Sequence, residues 1–300
     1  MKKIVIAGGT GFLGQVLENY FSKKGYQVKV LTRKPIKKNH VYWNAKTLGD
    51  WSSILEKTDA LINLTGKSVD CRYTAKNKKL ILDSRVESTH ILGKAINNCK
   101  NPPKVWINSS TATIYRHSLD KKMTEATGEI GNDFSTNIAK SWEKAFNKNN
   151  NPITRKIILR TSIVLGKKGG AFIPLKNLAK IGFGGKQGSG NQKISWIHEI
   201  DFARAVEFLL NDEKLHGIFN LSVPQPSDNK TLMMILRKTM NIPFGISHPV
   251  CLLKIGAFLI RTETELILKS RNVIPERLLN NAFNFKFTDL KIALSDLIKD

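Results

Sequence analysis

A short β-branched run, Lys3–Ala7, ends directly in Gly8-Gly9-Thr10-Gly11-Phe12-Leu13-Gly14, and a helical pattern begins inside that loop. No other feature of the chain narrows the choice of fold as far. Gly8, Gly11 and Gly14 stand at three-residue spacing between a strand and a helix, the context in which a glycine-rich turn cradles the pyrophosphate of a dinucleotide. Gly8 permits the tight turn, Gly11 lets the backbone approach the phosphates, and Gly14 lets the helix lie close to the sheet. The free N–H groups at the helix start favour the anion. Thr10, Phe12 and Leu13 complete the candidate cofactor loop.

The rest of the chain keeps the same rhythm. Leu13, Val16, Leu17, Tyr20 and Phe21 recur at helical spacing through Phe12–Lys23, and Gly25 ends that helix. Strands are expected at Gln27–Thr32, Ala60–Leu64, Val105–Ser109, Lys156–Arg160 and His216–Val223. Helices are expected near 75–98, 135–147, 200–210 and 229–240. The alternation predicts an α/β fold, a doubly wound parallel sheet with helices on both faces. Past residue 160 the pattern loosens into glycine-rich stretches, Gly166–Gly170 and Gly182–Gly190, which predict a smaller substrate-side lobe from about residue 166. Gln187–Gln192 reads as a lid or an ordinary surface loop. Residues 1–223 form one expected domain. Cys251–Arg261, Glu263–Lys269 and Asp289–Leu297 suggest a small, separate helical C-terminal domain over 248–297.

Composition removes several other classes. A chain of 300 residues with 41% hydrophobic and 24% charged residues builds an ordinary globular core. The net charge of +24 raises the question of a polyanionic partner. However, 37 of the 48 cations are lysines, scattered through stretches such as Thr74–Lys79 and Lys121–Lys122, and no nucleic-acid-binding motif accompanies them. The expectation is a solvated basic surface without a specific nucleic-acid partner. Cys71, Cys99 and Cys251 are too few and too dispersed for a disulfide scaffold or a metal site. No apolar run reaches the ~18 residues of a membrane span. A cytoplasmic protein without a membrane partner is expected, with a small-molecule substrate and a homodimer as partners.

The end of the second strand bears on cofactor choice. An NAD site usually places an acid there for the ribose hydroxyls. This chain has Leu31-Thr32-Arg33-Lys34, and Arg33 suits a 2′-phosphate. NADP(H) is therefore favoured over NAD(H), against the plainer reading of two surface cations.

Together, the glycine loop, Asn63-Leu64-Thr65-Gly66, Ser109–Tyr115 and Leu159-Arg160-Thr161 resemble the extended short-chain dehydrogenase/reductases. Arg72-Tyr73-Thr74, Ser84-Arg85, Trp142-Glu143, Gly184–Gly190, Ser195–His198 and Arg271–Pro275 are similar to the atypical YfcH-like epimerase branch, with its C-terminal domain of unknown function. The resemblance covers essentially the whole chain. It implies a Rossmann-type domain, with Asn63, Leu64, Thr65 and Gly66 beneath the cofactor and Thr111 at the place of the catalytic Ser/Thr. It also implies a Tyr four residues before a Lys. Lys140 has that setting, but Thr136 stands where the Tyr belongs.

Tyr115 is the candidate replacement, against a packing aromatic. His198 is a second titratable candidate, against a helix cap. Arg160 and Trp196, with His198, are the expected substrate-side residues, and Arg160 reads equally as a structural clamp. Arg72 and Arg85 suit an anionic substrate if they face a cleft. The activity implied is that of an NADP(H)-binding oxidoreductase or epimerase on a carbonyl or carbinol substrate, with a nucleotide sugar as the family-level guess. The alternative is a non-catalytic NADP(H)-binding sensor or interaction protein.

Overall fold

The computed structural model describes residues 1–259 and 262–299. Its centre is a seven-stranded sheet of β1 (Lys3–Ala7), β2 (Gln27–Thr32), β3 (His40–Tyr42), β4 (Ala60–Asn63), β5 (Val105–Thr111), β6 (Arg155–Thr161) and, later in the chain, β11 (Gly217–Leu221). The spatial order is β3-β2-β1-β4-β5-β6-β11, and every pairing is parallel. The order reverses between β1 and β4, the switch point where such sheets take ligands.

Alternation along β1 explains why both faces must be covered. Ile4 and Ile6 enter one buried cluster with Leu17 and Phe21 of α1 (Phe12–Lys23) and Phe202 and Val206 of α5 (Glu199–Asn211). Val5 and Ala7 enter the other, with Ile91, Leu92 and Ile96 of α2 (Ala75–Asn97) and Phe146 of α3 (Phe134–Asn147). A period-two pattern that is apolar on both faces is what a parallel sheet requires.

Between β6 and β11 lies the start of the second lobe. It comprises β7 (Ile163–Gly166), β8 (Gly169–Gly170), α4 (Phe172–Lys180), β9 (Lys193–Ile194) and β10 (Trp196–His198). After β11 come β12 (Ser227–Asp228), α6 (Asn229–Thr239), α7 (Val250–Leu259), α8 (Glu265–Leu268), α9 (Glu276–Asn280) and α10 (Leu290–Ile298). The helix expected at Cys251–Arg261 starts one residue early, and its expected last residue lies outside the described ones.

The C-terminal residues do not stand apart from the rest. Leu290, Leu294 and Leu297 of α10 share one buried cluster with Leu165, Phe172, Trp196 and Leu232. Residues 271–274 run between two earlier segments: Ser195 N donates to Arg271 O (3.1 Å) and Ile274 N to Met123 O (2.9 Å). Ser195 Oγ, fully buried, accepts from Val273 N at 2.7 Å. The stretch expected to be a separate helical domain is thus partly a strap that runs between β10 and the loop before α3. Gln187 and Gln192, expected in a lid or surface loop, are buried and bonded to each other and to Asn229. Among the described residues, no helix is long and apolar enough to cross a membrane.

Candidate active site

Three strand ends build the floor of one cleft. Gly8 follows β1 with φ +77°, and a side chain there would strike the Thr65 backbone at 2.9 Å. The loop after β4 therefore packs directly beneath the glycine turn. Asn63 fixes that loop: fully buried, it accepts from Thr65 N (3.1 Å) and donates to Asn108 Oδ1 (2.7 Å) and Thr89 Oγ1 (3.2 Å). Trp142 of α3 donates to the same Thr89 hydroxyl at 3.0 Å. The cleft has a volume of about 470 Å³. It runs from Gly8, Gly11, Phe12, Leu13 and Gly14 past Leu64 and Gly66 to Thr111 at the end of β5.

The glycine loop retains what an anion needs. Gly11 caps α1 without any side-chain bond, and the first turn carries no acid. A Cβ on Gly11 would meet nothing closer than Gly8 O at 3.8 Å, so space is open on that side. Gly14 is the opposite case, since a Cβ there would lie 2.3 Å from Gly9 Cα. Thr65 Oγ1 is buried without a partner. Arg33 and Lys34 are exposed at the end of β2, and Arg33 makes no ion pair among the described residues. Thr10 is exposed, and its carbonyl accepts from Gln15. The donors and the room fit a dinucleotide phosphate group.

On the substrate side the expected residues separate. Thr111 lines the cleft, and its hydroxyl caps a short 3₁₀ turn by accepting from Thr113 N (3.1 Å). Lys140 does not line it. The face that α3 turns to the cleft carries Phe134, Ser135, Ile138 and Trp142. Lys140 lies two residues, about 200° of helix, beyond Ile138. It is exposed in a separate hollow with Lys144 and Glu143. Thr136 is buried beneath Thr113 O.

Tyr115 does not line the cleft either. It is buried, and its hydroxyl donates to Asn220 Oδ1 (2.9 Å) and accepts from Arg160 Nη1 (3.0 Å). Burial pushes its pKa up, and Arg160 and Asn220 only partly oppose that. Arg160 clamps Glu143 through two bonds, Nε–Oε1 at 2.9 Å and Nη2–Oε2 at 2.8 Å. Ser110 donates to the same carboxylate at 2.6 Å. Burial works against the Arg160 charge, but the bonds to Glu143 more than offset it, and its pKa is raised. This network joins β5, α3, β6 and β11, and of its members only Ser110 also lines the cleft. Arg160 takes the clamp role, not the substrate role.

His198 and Trp196 also fall inside the second lobe. Trp196 is buried with Leu165 and Phe172. His198 is fully buried, caps α5 by accepting from Ile200 N at Nδ1 (3.1 Å), and stacks on Phe287 at 3.9 Å. Asp296 comes within 3.3 Å of Nε2 but without hydrogen-bond geometry. Burial dominates and lowers the His198 pKa to about 4. The ring is thus neutral in the folded protein, while the unfolded chain takes up a proton near 6.5. The stability this gives is complete above pH 6.5 and is lost as pH falls toward 4, about 3 kcal/mol in all. His198→Asn keeps a capping side chain and removes the titration. Urea midpoints at pH 7 and pH 4.5 should therefore fall less in the variant than in the native protein. An equal fall would show that the imidazole is solvated.

Arg85, weighed from sequence as an arginine that would matter if it faced a cleft, does face it, whereas Tyr73 and Leu266 were not picked out as site residues. Tyr73, just before α2, lines the cleft with a buried hydroxyl that has no partner. Burial raises its pKa, and Ser135 opposes the shift. Arg85, on α2, lines the cleft against Gly66 and the Trp142 ring. Leu266 reaches it from the C-terminal strap. The strap is tied down by Lys269, which donates to Asp133 (2.6 Å) and Thr113 O (3.0 Å), and by Glu263, which accepts from Tyr73 N (2.8 Å). Tyr73 and Arg85 do fall within the distinctive pairs Arg72-Tyr73 and Ser84-Arg85, but nothing local shows which way they face.

An all-parallel sheet with a glycine-loop cleft at its switch point defines an NAD(P)-binding fold of the Rossmann type. The chain belongs to the NAD-dependent epimerase/dehydratase family, whose model matches residues 4–222. A second model, the domain of unknown function DUF1731, matches residues 249–297. An epimerase family protein of Staphylococcus aureus strain N315 is 32% identical over 305 residues, covering 100% of both chains. One from Staphylococcus epidermidis is 32% identical over 302 residues, again covering 100% of both. Among solved structures, the human epimerase family protein SDR39U1 (isoform 2) with NADPH superposes with a TM-score of 0.90 at 28% identity over 98% of each chain. A nucleoside-diphosphate sugar epimerase from Corynebacterium glutamicum gives a TM-score of 0.80 at 26% identity, covering 98% of this chain and 57% of the other.

Proposed function

We propose that this protein binds NADP(H) and acts as an oxidoreductase or epimerase on a carbonyl or carbinol substrate. The observation that carries this reading is the continuity of the cleft, from an uncapped α1 N-terminus with open space at Gly11 to the hydroxyl of Thr111. The similar human structure with NADPH, and the exposed Arg33 in place of an acid after β2, support the phosphorylated cofactor. The backbone N–H groups at the start of α1 would hold the pyrophosphate and Arg33 the 2′-phosphate. The loop Leu64-Thr65-Gly66 would lie under the ribose. When bound, the cofactor supplies hydride exchange with carbon.

The chain's own part is to orient the substrate and polarise its oxygen. Thr111, which lines the cleft at the end of β5, would donate to that oxygen by turning its hydroxyl from Thr113 Oγ1. Tyr73 carries the phenol that faces the cleft, so proton transfer falls to it and not to Tyr115. Sugar nucleotides are the substrate class suggested by the similar Corynebacterium glutamicum protein.

A second reading, an NADP(H)-binding protein without turnover, is favoured by the cleft face of α3. Ser135, Ile138 and Trp142 offer no lysine there.

Calorimetric titration with NADPH, NADP, NADH and NAD tests the shared premise. The phosphorylated pair should bind at least about tenfold more tightly, from the loss of a charge-assisted pair. Arg33→Ala should abolish that preference, and Gly11→Asp should weaken all four. If none of the four binds the native protein, both readings fail. Hydride transfer to carbonyl substrates by the native protein, lost in Tyr73→Phe and Thr111→Ala, separates the enzyme from the sensor.

A further inference from the structure

Apolar side chains left in water are usually scattered, and a contiguous run of them marks a surface that meets something. Such a run surrounds α7. The chain at 181–188 is zipped to 244–250: Ile246 N donates to Gly182 O (2.9 Å), Gly185 N to Ile246 O (3.1 Å) and His248 N to Lys186 O (2.9 Å). Ile181 and Phe244 stand out from this pair of loops, 67% and 63% exposed, and Phe183 and Ile246 follow two residues further along each. The same loops reach the helix, since a Cβ on Gly188 would lie 3.7 Å from Val250 Cγ2. The only polar residue of α7 is Lys254. Helical spacing sorts the others. Leu253 and Ala257 are buried, while Leu252, Ile255 and Phe258, the last 69% exposed, lie on the opposite side.

The charge of this face is as one-sided as its hydropathy. Residues 167–198 and 229–259, which build it, hold six and four lysines or arginines and no aspartate or glutamate, in a chain with 24 acids. We propose that this face docks on an anionic lipid bilayer, with α7 lying in the headgroup plane and Leu252, Ile255 and Phe258 turned toward the acyl chains. Ten residues of helix extend about 15 Å, half of the hydrocarbon thickness, so α7 rests in the interface and does not cross it. The expectation of no membrane partner rested on the lack of a spanning run, which does not bear on a helix of this kind. Lipid is the occupant that uses both properties, because acidic headgroups attract the lysines while the acyl region takes the apolar side chains. A second copy would bring the same positive field against itself. A nucleic acid would leave the apolar stripe in water. The docked face also adjoins the cleft wall: Phe258 lies 5.8 Å from the Arg72 guanidinium, which donates to Thr262 O (3.1 Å) and Glu263 (3.3 Å) where the strap begins.

Cosedimentation of the full chain with vesicles tests this, with equal parts phosphatidylglycerol and phosphatidylcholine in one arm and phosphatidylcholine alone in the other. The native protein should bind the anionic vesicles at least about tenfold more tightly, since several lysines each gain a few-fold at such a surface. Leu252→Gln/Ile255→Gln, at two exposed positions outside the cleft, should weaken that binding about thirtyfold through the loss of two inserted side chains. Four results would overturn the proposal. The native protein could ignore anionic vesicles, or bind both kinds equally. The folded double variant could bind as the native protein does, which leaves only the adsorption of a polycation. Or the native protein could be a dimer without lipid that the double variant splits, which gives the face to a second copy. If the double variant does not fold, Phe244→Gln, in the loop and outside the helix, is read by the same criteria, with a weakening of about fivefold. None of these readouts involves a cofactor, so a failure to bind NADPH leaves the test intact.

Discussion

Glu143→Leu should destabilise this protein by about 3–5 kcal/mol, the cost of leaving one member of a buried ion pair uncompensated. The carboxylate accepts two bonds from Arg160 and one from Ser110, and both charged residues are less than a tenth exposed. Without it, the Arg160 guanidinium keeps only the Tyr115 hydroxyl. The double variant Glu143→Leu/Arg160→Met should recover much of the loss, since replacing a whole buried pair with apolar residues is often close to neutral. Recovery should be incomplete because the Ser110 hydroxyl then lacks its partner and the Tyr115 hydroxyl keeps only Asn220. Urea unfolding of the three proteins measures this. A single variant within about 1 kcal/mol of the native protein would mean that the pair is worth no more than a surface salt bridge. The pair lies outside the cleft, so cofactor affinity in the folded double variant should stay near that of the native protein.

The second large effect separates two glycines of one loop. Gly14→Ala puts a methyl group 2.3 Å from Gly9 Cα, an overlap with backbone that no rotamer relieves. The start of α1 must lift away from the turn, at a cost of about 1–3 kcal/mol or more. The phosphate-binding N–H groups move with it, so NADPH binding should fall at least about a hundredfold if two charge-assisted bonds are lost. Gly11→Ala meets only Gly8 O at 3.8 Å. It should leave the unfolding midpoint nearly unchanged while still weakening NADPH, because its methyl group stands where the ligand approaches. Equal stability of the two variants would contradict the close packing of α1 on the turn.

The nucleotide half was legible because its signals are local. β1, α1 and β2 begin and end at the residues that their patterns and bounding glycines indicate. The three-residue strand β3 escaped because His40–Tyr42 is too short for alternation to show. The substrate half was misread for a geometric reason. Lys140 was chosen by its distance along the chain from Thr136, yet the cleft selects the stripe Ser135, Ile138 and Trp142. Tyr115, Arg160 and His198 have the chemistry of site residues, but tertiary partners spend it: Asn220 and Glu143 on the first two, Ile200 N and Phe287 on the third. The opposite wall is made by partners 136, 158 and 190 residues apart: Lys269 with Asp133, Arg271 with Thr113, and Glu263 with Tyr73. No pattern of short period encodes such pairings.

The strap also sets an order of events during synthesis. Domains fold N-terminal first as the chain emerges. By Leu221 a nascent chain already holds all seven strands of the main sheet and the complete glycine loop. The segment that fills the space between Ser195 and Met123, and brings Arg271 to Thr113, is translated some fifty residues later. An unfinished chain therefore holds its glycine loop before it holds the wall opposite. A chain halted in that interval has the complete main sheet and glycine loop but lacks the segment that ties the second lobe to the loop before α3.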